Sequence, residues 1–150
     1  MALESWKVFI DTSALAAGIA SSRGAAREVL RLAEAGIFEL LVSEQVLVEL
    51  DRVFSAKFAQ HAGEHRRFLS RLKPKLVEDP DLAEVKKVES AIDPGDAGIL
   101  AAAMKAKADW LVTWDKKHFL SPKAKAASTC RLADPGEFLA AFRAWLEERA

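Results

Sequence analysis

Lys7-Val8-Phe9-Ile10-Asp11 is the stretch that decides the fold. Its apolar residues, β-branched in part, read as a short strand that ends on a carboxylate. Polar and apolar side chains do not alternate along it, which marks a strand covered on both faces, as in parallel sheets flanked by helices. Trp110-Leu111-Val112-Thr113 is a second such strand, and the chain breaks after it at Trp114-Asp115. In an open parallel sheet, ligands gather beyond the carboxyl ends of the strands, near a change in strand order. If these two strands are neighbours, their terminal acids converge there.

Outward from the first strand, a stretch of small residues, Thr12 to Ser22, precedes a helical pattern over Ala25–Ala35, with Gly36 as its C-cap. Phe38–Val42 reads as a strand. Ser43 caps a helix from Glu44 to Phe58 whose apolar face carries Val46, Leu50, Val53, Phe54 and Phe58. A basic helix follows over His61–Leu72, then a short strand near Lys75–Val77 and a modest helix over Leu82–Ser90. Asp93-Pro94-Gly95-Asp96 is a turn into an alanine-rich helix running from Asp96 to Lys107, with Ile99, Leu100, Ala103 and Met104 facing inward. Ser128–Leu132 reads as an edge strand. Asp134 caps the last helix, with Pro135 at its first position and Glu137 three residues after the cap. The alternation predicts an α/β fold: a three-layer α/β/α sandwich with a mostly parallel central sheet. A chain of 150 residues without repeats, low-complexity tracts or linkers reads as one domain spanning 1–150.

Hydrophobic residues make up 51% of the chain, too many for a disordered protein. The 22 basic and 22 acidic residues balance, which excludes a strongly basic nucleic-acid coat. The charge is nevertheless segregated: residues 51–75 hold seven bases and two acids, 76–98 two bases and seven acids, 99–125 six bases and two acids. Folding could set the positive segments around a negative pocket, although solvated helix faces give the same pattern. A single cysteine, Cys130, excludes an intramolecular disulfide and a multi-cysteine metal site. No apolar run approaches a membrane span, and the charged, strand-like start is no secretory leader, so a cytoplasmic protein with no membrane role is expected.

Four carboxylates carry the chemistry. Asp11 and Asp115 follow buried-looking strands. Glu49 borders an apolar helix face, where an acid avoids burial unless paired, protonated or metal-bound. Asp96 sits in the first turn of its helix on the inward side, three and four residues before Ile99 and Leu100. Taken singly, each reads equally as a cap, a turn residue or a salt-bridge partner. Clustered carboxylates raise one another's pKa, and a hard divalent cation relieves that repulsion. Mg2+ or Mn2+ suits oxygen ligands and substrate phosphates, and can generate and align a hydroxide against a phosphodiester. Zinc is disfavoured because its nitrogen and sulfur ligands are not assembled. Thr12, Ser13 and Thr113 can orient carboxylates or phosphate oxygens. Lys116, Lys117 and His118 are candidate phosphate contacts. Trp114 is either a base-stacking surface or a packed ring.

These residues resemble the PIN domain family. The resemblance is carried by Val8-Phe9-Ile10-Asp11-Thr12-Ser13, Val48-Glu49-Leu50, Asp93-Pro94-Gly95-Asp96 with its alanine-rich helix, and Ala108-Asp109-Trp110-Leu111-Val112-Thr113-Trp114-Asp115. It extends to Pro135-Gly136-Glu137-Phe138-Leu139, similar to the end of the toxin subgroup. It implies a metal-dependent endoribonuclease acting on RNA, with Asp11, Glu49, Asp96 and Asp115 holding Mg2+ or Mn2+ or its waters and Thr12 and Thr113 as the accompanying catalytic hydroxyls. It also implies a homodimer and, for VapC-type members of toxin–antitoxin systems, a small antitoxin protein as partner. Two departures stand out. Trp114 occupies a place where relatives often carry Gly or Asn, and Gly95 interrupts the acidic run before the alanine-rich helix.

The residues alone leave two other readings open. One is a catalytically quiet RNA- or partner-binding module, which would bind RNA equally well with its acids neutralised. The other is a phosphoryl-accepting α/β regulatory domain. No G-x-G-x-x-G or G-K-[ST] loop is present, which argues against nicotinamide and ordinary nucleoside-triphosphate binding.

Overall fold

The computed structural model describes residues 6–57 and 59–150. The sequence readings for Phe58 and for the first five residues lie outside them. The elements are β1 (Lys7–Ile10), α1 (Thr12–Ala20), α2 (Ala25–Glu34), β2 (Glu39–Val42), α3 (Glu44–Lys57), α4 (Ala62–Leu72), β3 (Lys75–Leu76), α5 (Leu82–Lys86), α6 (Pro94–Lys105), β4 (Trp110–Val112), α7 (Pro122–Ala127), β5 (Arg131–Ala133) and α8 (Pro135–Glu148). A turn of 3-10 helix, Ala59–His61, leads into α4.

The sheet has five strands in the order β3-β2-β1-β4-β5, and every pairing is parallel. From β1 the sheet extends through β2 and β3 on one side and through β4 and β5 on the other, so the strand order reverses between β1 and β4. Their register is Val8↔Trp110, Phe9↔Leu111 and Ile10↔Val112. Val8, Phe9, Ile10, Leu111 and Val112 are fully buried, as expected of central strands with helices on both faces. Helices α1–α4 pack against one another, and α5 packs on α6. α8 returns to pack on α2, β4 and β5. At the amino ends of the strands, Trp6, Trp110 and Trp145 join Phe38, Phe138 and Phe142 in one aromatic cluster, with Trp6 5.5 Å from Trp110 and 5.3 Å from Trp145. No helix among the described residues is long and apolar enough to cross a membrane.

Local chemistry explains the element ends. Gly36 has φ +78, and its N–H reaches Ala33 O while Ile37 N–H reaches Leu32 O. That pair of bonds closes α2 as the sequence predicts. Asp134 and Glu137 form a capping box at α8. Three assignments are corrected. The small residues after β1 are a helix, α1, which Asp11 caps by accepting from Ala14 N–H. α6 begins at Pro94, two residues before the expected start, because Asp93 is the cap and proline suits the first helical position. β5 starts at Arg131, because the Ser128 hydroxyl holds the backbone of Cys130 in a bend (Ser128 Oγ to Cys130 O 2.7 Å, Cys130 N–H to Ser128 Oγ 3.1 Å).

Candidate active site

Asp11 stands at the point where the strand order reverses. Its N–H still pairs with Val112 O, 3.1 Å away, so the residue belongs to the end of the sheet. The side chain is 3% exposed. Oδ1 accepts from Ser13 Oγ (2.8 Å) and Ala14 N–H (3.1 Å), and Oδ2 accepts from Thr113 Oγ1 (2.6 Å). These bonds favour the carboxylate, but burial outweighs them and pushes its pKa up to about 6. Thr113 is fully buried, and its Oγ1 also accepts the Asp115 N–H at 2.9 Å. One hydroxyl therefore ties the acid after β1 to the acid after β4.

Asp96, in the first turn of α6, comes up to the same place. Its carboxyl is also raised to about 6, first by desolvation and then by the charge of Asp115. His118 lies between them, with Nδ1 2.9 Å from Asp115 Oδ2 and 3.5 Å from Asp96 Oδ2. Its Nε2 is 4.0 Å from Asp93 Oδ2. The hydrogen bond to Asp115 holds the imidazole above its ordinary range, and the surrounding acids add to the effect. Among the described residues, Asp96, Asp115 and His118 form the group whose ligand atoms all lie within 4.8 Å of one another.

The compact set is therefore two aspartates and a histidine, where the sequence suggests four carboxylates. Asp11 is coupled to it through Thr113 and through the charges of Asp96 and Asp115. Glu49 is held further out on α3. Its Oε1 accepts from Thr12 Oγ1 (3.0 Å), and its Oε2 accepts from Gln45 Nε2 (2.9 Å). Gln45 also donates to Gly95 O at 2.9 Å, fastening α3 to the first turn of α6. Gly98 makes room for it: a Cβ there would stand 2.7 Å from Gln45 Oε1.

Sequence reading gives His118 only as a phosphate contact and does not single out Gln45. Their spacings are the available signals: His118 is three residues after Asp115, and Gln45 four before Glu49 on one helix face. Lys116 and Lys117 are exposed on the loop after β4, and Lys123 and Lys125 are exposed on α7. Cys130 is buried, and burial raises its thiol pKa.

Solved structures that share a fold of this kind include the following two. PAE2754 from Pyrobaculum aerophilum aligns with a TM-score of 0.64 at 20% identity, over 93% of this chain and 98% of that one. VapBC2 from Rickettsia felis, bound to a DNA fragment from its promoter, aligns with a TM-score of 0.60 at 22% identity, over 85% of this chain and 98% of that one. No curated protein matches the sequence. At these identities the solved structures speak for the fold alone. The sequence itself goes further: the PIN domain family model matches residues 7–117, from the start of β1 through the loop that carries Asp115, and the chain belongs to the PIN domain family.

Proposed function

We propose that this protein is a divalent-metal-dependent endoribonuclease that hydrolyses RNA phosphodiester bonds at the carboxyl ends of β1 and β4. The reading is carried by one observation: Asp11, Asp96 and Asp115, from three separate elements, are brought close enough to couple electrostatically. The donor set fits a hard cation. It is rich in carboxylate oxygens, and two of its acids are raised to a pKa of about 6, chiefly by burial and, for Asp96, next by the charge of Asp115. Asp11, Asp96 and Asp115 would hold Mg2+ or Mn2+ or its waters, with Glu49 completing the set from α3. The cation, when bound, supplies an activated water and neutralises charge developing on the phosphate. The chain does the rest. Thr113 fixes the Asp11 and Asp115 sides relative to each other, Thr12 and Gln45 orient Glu49, and His118 balances the charge of Asp115 and Asp96. Lys116 and Lys117 are placed to meet backbone phosphates.

PIN membership, together with the likeness to VapBC2, supports a finer reading. The protein is a VapC-like cytoplasmic toxin, acts as a homodimer and is restrained by a small antitoxin protein.

The test compares the intact protein with an Asp11→Asn, Asp96→Asn double variant on a mixed set of labelled RNAs, in Mg2+, in Mn2+ and in chelator. Matching folded spectra come first. The expected result is internal cleavage that needs the cation and the two acids. Equal cleavage by both proteins overturns the assignment. RNA binding of equal strength by both, without turnover, supports the quiet binding module.

A further inference from the structure

Trp114 differs from the other three tryptophans of the chain. Trp6, Trp110 and Trp145 sit in the aromatic cluster at the amino ends of the strands, each with ring partners within 6 Å. Trp114 stands at the opposite end of the sheet, between Thr113 and Asp115, and is 40% exposed. Among the described residues its indole has no hydrogen-bond, ring or cation partner.

An exposed aromatic residue is ordinary by itself. Its backbone here is not. The Trp114 N–H donates to Ser13 Oγ at 3.0 Å, and its carbonyl accepts the Lys116 N–H at 3.0 Å. Ser13 in turn donates to Asp11 Oδ1 and lies 3.3 Å from Thr113 Oγ1. The main chain that carries the ring is thus fixed by the same hydroxyls that fix the acids. The residues following it on the loop, Lys116 and Lys117, are exposed cations.

We propose that Trp114 forms a nucleobase subsite: its indole stacks on an unpaired base of a single-stranded RNA segment whose phosphates run toward Lys116, Lys117 and the carboxylates. The inference rests on the RNA-cleaving reading above and adds to it how the strand is held. An anchored π face beside exposed cations is the composition that binds single strands, with little dependence on which base is presented. A protein anchor would call for apolar surroundings. The neighbours here are charged, and the other exposed large hydrophobics, Ile37, Val48, Leu76, Leu82 and Leu146, lie outside this loop.

The test uses the full chain with Asp96→Asn to silence cleavage, in Mg2+, and three probes: a short single-stranded RNA, the same strand with abasic positions around its centre, and its duplex. Binding is read by anisotropy of labelled RNA and by tryptophan emission. The single strand is expected to quench the exposed emission of Trp114, and this quenching disappears in Trp114→Phe while affinity is largely kept. Trp114→Leu is expected to weaken single-strand binding about 5- to 150-fold. The abasic strand should bind weakly to the parent and be indifferent to the substitution. Matched melting curves check that the variants fold. Undiminished single-strand binding by Trp114→Leu overturns the subsite and leaves the nuclease reading standing, with the ring assigned to a partner protein. Equal losses on normal and abasic strands also overturn it. Absence of binding to any probe by the parent overturns both readings.

Discussion

Asp11 is the residue at which stability and the proposed function pull apart. Its carboxyl is held near a pKa of 6 by burial, against an ordinary 3.8. Between those two values the folded state binds more protons than the unfolded one. Its contribution to stability is therefore whole below about pH 4 and is lost as pH rises through about 6, on the order of 3 kcal/mol in total. Asp11→Asn should therefore melt above the parent at about pH 7.5 in chelator and lose that advantage near pH 4, while abolishing RNA cleavage. Thermal melts across pH check this, and a lower melting point at neutral pH would refute it. Thr113→Val removes the hydroxyl shared by Asp11 and Asp115 while keeping the shape. It should weaken Mn2+ binding about 10- to 100-fold in calorimetry, with the fold intact. At this scale the four acids stand out by position, Asp11 and Asp115 after strands, Asp96 in the first turn of a helix and Glu49 beside an apolar face, although a cap explains an acid equally well and Asp11 does cap α1. His118 was not legible in the sequence, since its role depends on a loop that returns it onto Asp115, and loop geometry leaves no periodic trace.

Helix α3 meets α6 through Gln45, and the contact exists because position 98 has no side chain. Gly98→Ala tests the arrangement. Alanine favours the helix by roughly 0.5–1 kcal/mol over glycine. The new methyl, however, displaces Gln45, which then releases Glu49. The expected outcome is a melting temperature equal to or above the parent's with cleavage reduced by about tenfold or more. An unchanged rate would show that Glu49 is positioned without Gln45. The same elements show what a sequence can express. β1, β4, α6 and α8 are apolar in runs or stripes and could be read directly. Helix α1 could not, because Thr12–Ala20 is built of small residues with no polar face; it is held by its Asp11 cap and by Gly18, where a Cβ would stand 3.0 Å from Ala26 O. The start of β5 was misplaced because the Ser128 hydroxyl bond that delays it is a tertiary detail of one turn.

The whole molecule balances its charges while gathering acids at one end of the sheet. A cation that binds the folded state there stabilises all of it. At a concentration about 100 times its Kd, Mn2+ should add about 2.7 kcal/mol and raise the melting temperature by about 5–10 °C. That shift should vanish in an Asp96→Asn, Asp115→Asn variant, and a shift that survives would place the cation elsewhere. The pairing of β1 with β4 has a further consequence, for synthesis. Asp11 and Thr113 touch across 102 residues of chain. A ribosome adding roughly 5–20 residues per second needs about 5–20 s to deliver the second after the first. Over that interval the nascent chain acquires β2 and then β3 but lacks the strand that completes the acidic pocket. Prematurely terminated products stay in the same divided state. If the protein cuts RNA as proposed, the transcript being read is spared until most of its own translation is over.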